Sequence, residues 1–293
     1  MKEFIIITDS CVDIPDSLAK ELGLVILPLK VTAEGKEYQN FLDEREIKSK
    51  DFYQLLRNHI KTSTAQATPQ EFLDVMTPIL KSGKDILSIS FSSALSGTYN
   101  SSLMAQKELS EAFPDATIEC VDSLCASMGQ GLLLTMAGRK RLAGASLQET
   151  KEFVENNKFK VSHLFTVDDL GHLRRGGRLS AGKEILGNLL NVKPLLHVST
   201  EGKLVVYGKG RGRIKSLHSL VSRMEETYQG DENSLVYISH GDCLEEALFL
   251  KGLILSKLPV KENQFLINPI GPVIGSHSGA GTMALFYIGN DRS

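Results

Sequence analysis

The residues of this chain best suited to chemistry are hydroxyls. From Ser92 to Thr98 the sequence reads Ser-Ser-Ala-Leu-Ser-Gly-Thr, with Ser90 just before it. From Lys61 to Pro69 it reads Lys-Thr-Ser-Thr-Ala-Gln-Ala-Thr-Pro. A helix cap uses one or two such side chains, and each stretch holds more. Hydroxyl and backbone N–H donors that converge on one point suit an anion, and a carboxylate takes several of them. Thr64 and Ser63 are offered by one stretch and Ser96 by the other. His277, within Gly271–Gly281 (GPVIGSHSGAG), can add an imidazole. Taken singly, each hydroxyl also reads as an ordinary cap and His277 as a structural histidine at a strand end. The excess of donors is what argues for a site.

A second group is cationic. Arg174, Arg175 and Arg178 surround Gly176-Gly177, which reads either as a solvated basic loop or as phosphate recognition. Several other chemistries lack their residues. The first apolar run ends in Thr-Asp-Ser-Cys rather than GxGxxG, Gly208–Gly212 is not followed by the helix-packing glycine, and no GxxxxGK[ST], GxSxG or HExxH occurs. Asp9 and Asp13 have no neighbouring His/Cys/carboxylate cluster, so neither a metal nor another cofactor is expected. Cys11, Cys120, Cys125 and Cys243 form no CxxC and are expected to be reduced thiols in a cytoplasmic protein.

These residues need elements to hold them. Phe4–Ile7 is a continuous apolar run of the kind that forms a buried parallel strand. Asp16–Leu22 is expected to be helical, and Val25–Val31 a strand interrupted by Pro28. Asp51–His59 is expected as a helix, Lys61–Pro69 as a loop, and Pro69 as the first turn of another helix with Thr68 as N-cap and Glu71 completing a capping box. Ile86–Phe91 reads as a strand, Ser102–Ser110 as a helix, Ala116–Val121 as a strand and Met128–Leu142 as a long apolar helix, followed by Ser146–Asn156. Alternation of this kind predicts a parallel sheet with helices on both faces over residues 1–160. Asp9-Ser10, Ser92–Thr98 and Asp122-Ser123 then all follow strands and share the sheet edge where such folds bind ligands.

The rest of the chain, 161–293, reads differently. His163–Val167, Val192–Val198, Lys203–Tyr207, Ser234–Ser239, Phe265–Ile267 and Met283–Ile288 are strand-like, Leu217–Tyr228 and Glu245–Ser256 helical, and Ser199–Gly202 a hairpin turn. The expectation is a second α/β domain, a mixed sheet with helices on one face. In 293 residues the formal net charge is −2, so no basic footprint argues for nucleic acid. No apolar run approaches the roughly 18 residues that span a bilayer, and the N-terminal run is a strand rather than a signal peptide.

The motifs in their order resemble a known family. Thr-Asp-Ser at 8–10, the run Thr64–Pro69, SSALSGTYNSS at 92–102, Val-Asp-Ser at 121–123, the LxxGGRLS run at 173–180 and GPVIGSHSG at 271–279 are similar to those of the DegV family, from end to end of the chain. The resemblance implies a bacterial two-domain α/β protein that binds a long-chain fatty acid in a buried tunnel, the ligand lying between the two domains. Some members are the binding subunit of a fatty acid kinase and present the carboxylate to a separate ATP-using subunit, which makes an acyl phosphate for phospholipid metabolism. By the same resemblance Thr64, Ser96 and His277 would hold the carboxylate, and Arg178 and Arg211 would serve the partner or the phosphoryl transfer. Ala65 and Ala67 depart from the family pattern, where Ser and Pro are usual, and Ser63 is the hydroxyl that would compensate. Tunnel walls are not readable; Met104, Met128 and Met136 are candidates, each more readily explained as core. Such a protein catalyses nothing alone. The competing readings are a hydrolase with a Ser/His277 pair and a binding module for a polar phosphorylated metabolite.

Overall fold

The computed structural model describes residues 2–179, 192–231, 233–290 and 292. Its first sheet joins β1 (Phe4–Asp9), β2 (Leu24–Leu27), β6 (Asp85–Ser90) and β7 (Ile118–Asp122) in the order β2-β1-β6-β7, all parallel. Alternation along β1 serves two cores. Ile6 faces one with Leu132 and Leu133, and Ile7 faces the other with Phe72 and Met76. The helices accordingly lie on both faces. α3 (Pro69–Lys81) and α4 (Thr98–Ala112) cover one; α5 (Met128–Leu142) and α6 (Leu147–Asn157) cover the other. α3 starts as its residues demand, with Thr68 Oγ1 accepting from the Glu71 N–H at 3.2 Å and the Glu71 carboxylate accepting from the Thr68 N–H at 2.8 Å.

Pro28 does more than interrupt a strand. β2 ends at Leu27, and β3 (Lys30–Ala33) belongs to a separate antiparallel sheet, β4-β3-β5, with β4 (Lys36–Gln39) and β5 (Thr62–Ala65). A residue without an N–H and with fixed φ divides the run between two sheets. β5 also corrects the expected loop at Lys61–Pro69, because Thr62–Ala65 pairs with β3, Thr64 opposite Val31. α1 (Asp16–Glu21) and α2 (Ser49–Arg57) complete this half.

The second sheet is mixed, in the order β10-β9-β8-β13-β11-β12. Its strands are β8 (Val161–Thr166), β9 (Val192–Val198), β10 (Leu204–Arg211), β11 (Val236–His240), β12 (Phe265–Pro269) and β13 (Met283–Ile288), and only β11 with β12 is parallel. α8 (Arg213–Thr227) and α9 (Leu244–Lys257) pack on one face through Leu217, Leu220, Leu250 and Ile254. The expectation of helices on one face only is corrected by α5, which packs against β8, β11 and β13 from the other side and shares a core with Phe165, Tyr237 and Phe286. Two short helices fall where the sequence shows glycine and charge: α7 (Gly171–Arg175) and α10 (Pro272–Ser278). α10 crosses back to the first half and packs against α2, β3 and β5. No helix among the described residues is long and apolar enough to cross a membrane.

Candidate functional site

β5 and α10 pack against each other. Thr64 Oγ1 lies 2.8 Å from His277 Nε2. His277 therefore sits in a helix rather than at a strand end, and Pro272 in the first turn of that helix fixes its start. Burial, and then the charge of Arg178, push its pKa down to about 4, so the imidazole is neutral at pH 7. Its Nδ1 is buried and has no hydrogen-bond partner among the described residues. A buried orphan of this kind needs an explanation, and a visiting polar group is one. Close to it, a Cβ on Gly176 would come within 2.2 Å of Nδ1. Gly176 of the Gly-Gly pair is thus what lets α7 approach the imidazole, and Gly177 at φ +70° makes the turn that follows.

Ser96 reaches the same place from the β6–α4 loop. Its hydroxyl lies 3.0 Å from Thr98 Oγ1, which accepts from the Ala67 N–H at 3.4 Å. Thr98, not singled out in the sequence, therefore ties the loop to the stretch after β5. Other polar groups of Ser92–Thr98 have structural duties. Ser92 Oγ donates to the Gly202 carbonyl at 2.9 Å and pins the β9–β10 turn, and the Ser93 N–H donates to Asp122 at 3.1 Å. Asp9 does the same for its own edge, accepting from the Phe91 and Cys11 N–H groups.

Thr64, Ser96, His277 and Arg178 share the wall of one cavity, of about 100 Å³. Most of the rest of that wall is apolar, including Phe91, Leu95, Phe165, Leu204, Val273 and Phe286, with Gln66, Ser127, His163, Ser278 and Thr282 as its other polar members. These residues come from both halves of the chain, and no periodicity links them. None of Met104, Met128 or Met136 lines it. Met128 is in the core, Met136 packs against that core, and Met104 lies exposed on α4.

Thr64, His277 and Arg178 also border a second, wider cleft of about 800 Å³, open to solvent and lined by Lys61, Ser63, Asp168, His172 and Arg175. They form the partition between an apolar interior and a polar vestibule. Arg178 Nε donates to the Leu95 carbonyl at 3.1 Å, which holds its side chain against the Ser96 loop. Ser63 is the exception to the expected donor set. It neighbours Thr64 on β5, so its side chain takes the opposite face; it is exposed and borders the vestibule alone, and cannot replace a donor inside the cavity. Arg211 is also apart, exposed at the end of β10 on neither cavity wall. Ser180, the last residue of the LxxGGRLS run, lies outside the described residues.

The competing readings fare less well. Among the described residues no serine bonds His277 and no carboxylate orients it, so a Ser/His277 hydrolase lacks its relay. The apolar interior does not suit a phosphorylated metabolite. No group of three or more His, Cys, Asp or Glu among the described residues could hold a metal.

Residues 3–290 match the family model described as "Uncharacterised protein, DegV family". The chain is 44% identical over 292 residues to a DegV domain-containing protein of Clostridium perfringens, covering 100% of this chain and 99% of that one. Among solved structures it is similar to a DegV family protein from Thermus thermophilus described by its fatty acid binding, with TM-score 0.88 and 29% identity over 99% of this chain and 100% of the other. It is also similar to DegV of Bacillus subtilis, described as a fatty acid binding protein, with TM-score 0.84 and 27% identity over 99% and 100% of the two chains.

Proposed function

The chain belongs to the DegV family, and from that premise we propose that it binds a long-chain fatty acid. The carboxylate sits at the partition, held by Thr64, Ser96 and His277, and the acyl chain runs into the apolar cavity between the two domains, residues 1–160 and 161–293. The observation that carries this reading is the position of Thr64 and His277, which border the apolar interior on one side and the polar vestibule on the other. An amphiphile with one anionic end matches that boundary. Each buried methylene contributes about 0.8 kcal/mol, so the chain supplies most of the affinity and the hydroxyl and imidazole donors set its direction. The cavity is smaller than the several hundred Å³ usual for ligand pockets. A full-length chain therefore requires the walls to part.

The vestibule carries the second half of the proposal. The protein presents the carboxylate to a separate ATP-using kinase subunit, in the cytoplasm of a bacterium, and the resulting acyl phosphate enters phospholipid metabolism. Arg178, between the two spaces, supplies positive charge to the carboxylate and then to the transferred phosphoryl group; exposed Arg211 faces the partner. The chain performs no phosphorylation alone. The test is titration of the purified protein with palmitate and oleate, for the parent and for Ser96→Ala. Saturable uptake weakened by the substitution, with unchanged melting temperature, supports the reading. Equal affinity in both removes Ser96 from the site.

A further inference from the structure

One serine on the cavity wall has a backbone that capping does not explain. Ser127 lies between β7 and α5, with φ 50° and ψ −142°. A non-glycine residue held at such angles costs on the order of 1–3 kcal/mol and persists where its surroundings enforce it. The same sharp strand-to-helix turn exposes the nucleophile of serine acyl hydrolases. The pattern there is small-x-Ser-x-small, and this chain reads Cys125-Ala126-Ser127-Met128-Gly129, with buried cysteine in place of the first glycine. The small residue after the serine is enforced by space, since a Cβ on Gly129 would come within 2.0 Å of His163 Nε2.

The serine has a base. Ser127 Oγ donates to Asp13 Oδ2 at 2.6 Å and lies 3.1 Å from Ser239 Oγ. Gly131 lets the start of α5 sit against the Val12 carbonyl, where a Cβ would meet it at 2.7 Å, and this brings residues 12–14 to the serine. Asp13 is buried, is itself at φ 50°, and accepts from the Gly271 N–H at 2.9 Å, which fixes the carboxyl in place. Burial raises its pKa to about 7, near the value a general base needs at neutral pH. The Met128 N–H, directly after the serine, has no hydrogen-bond partner among the described residues. It points from the start of a 15-residue helix, where developing negative charge is stabilised.

We infer that Ser127 and Asp13 form a catalytic dyad that hydrolyses an ester or thioester of a carboxylic acid within the acyl cavity. The Ser127 hydroxyl gives its proton to the Asp13 carboxylate as Oγ bonds to the carbonyl carbon. The carbon–oxygen or carbon–sulfur bond to the leaving group then breaks, and the alcohol or thiol departs with the proton from Asp13. Water attacks the acyl-serine, giving one proton to Asp13; the bond to Oγ breaks, Oγ recovers that proton, and the free acid remains. The product is the amphiphile that the cavity is proposed to hold, so the inference rests on the acyl-binding reading while adding a reaction to it.

The experiment uses the full chain with a fluorophosphonate probe, peptide mass mapping, and p-nitrophenyl butyrate as substrate; palmitate binding is measured on the same samples. The expected result is covalent labelling at Ser127, hydrolysis of the ester, and loss of about 10³-fold or more in kcat/KM in Ser127→Ala and Asp13→Asn. Labelling of the parent protein needs no variant, so a misfolded Asp13→Asn does not blunt the test. A protein that binds palmitate but neither labels at Ser127 nor turns over the ester overturns the dyad and leaves the binding reading intact. A protein that labels but takes up no fatty acid has the reverse meaning.

Discussion

Thr64 and His277, separated by 213 residues in sequence, are joined by a 2.8 Å hydrogen bond that closes the partition between an apolar cavity and a polar vestibule. Strand β5 brings one partner and helix α10 the other, and those two elements pack directly. The pair is where the two halves of the chain cooperate chemically.

Removing one donor from the pair has a calculable cost. A hydrogen bond to a charged group contributes about 1.5–3 kcal/mol, so Thr64→Val is expected to weaken fatty acid binding by roughly 10- to 100-fold. Competition with a fluorescent fatty acid, on protein whose melting temperature is unchanged, measures this. Unchanged affinity would remove Thr64 from the site.

Gly176 should couple to His277. Alanine at 176 adds a Cβ within 2.2 Å of the imidazole, so Gly176→Ala is expected to displace the ring and reduce binding. In His277→Ala the obstruction is gone, and the same change at 176 should then cost little. The double-mutant cycle reads this directly. Additive losses would show that Gly176 acts elsewhere.

Stability should depend on pH in opposite senses at the two shifted groups. His277 titrates near pH 4 folded and near 6.5 unfolded. Between those values the unfolded chain binds more protons, so stability falls as pH falls from 6.5 toward 4, by up to about 3 kcal/mol. Asp13 titrates near 7 folded and 3.8 unfolded; here the folded chain binds more protons, and stability falls as pH rises from about 4 through 7. Urea unfolding at pH 5 and 7 should show the acid-side loss reduced in His277→Gln and the opposite slope reduced in Asp13→Asn. Slopes identical to the parent's would contradict the assigned shifts.

Arg178 should matter twice. Its charge borders both spaces, so Arg178→Ala is expected to weaken binding by several-fold and to reduce kinase-dependent phosphorylation further, at saturating fatty acid. Arg211→Ala, exposed and away from the cavity wall, should leave binding unchanged while slowing the phosphorylation. Release of the fatty acid by Arg211→Ala would refute its placement on the partner side.

Much of the architecture could be read from local pattern. Phe4–Ile7 and Met128–Leu142 are apolar enough to be a buried strand and a buried helix in any context, and the Thr68–Glu71 capping box fixes the start of α3. Elements whose residues favour another state were missed. β5 is Thr-Ser-Thr-Ala, four residues that resemble a polar loop until β3 pairs with them, and β4, an edge strand, is polar except for Tyr38, which packs on the core. α10 is hidden by glycines whose purpose is close packing: Gly275 faces Tyr53 and Phe52. That Thr64, Ser96 and His277 stand apart from ordinary caps could be read from the sequence because hydroxyls and this histidine are unusual in their grouping, and the three share one cavity wall. The walls were not, because Phe91, Phe165, Leu204 and Phe286 come from separate elements and each looks like ordinary core.

The most direct test of the account is native mass spectrometry of the parent protein and of Thr64→Val/His277→Gln, as purified and after addition of palmitate. The account predicts one long-chain fatty acid per parent chain and its loss, at matched concentration, from the double variant. A parent protein that carries none and takes up none, or a double variant that retains it in full, would contradict a fatty acid site at the Thr64–His277 partition.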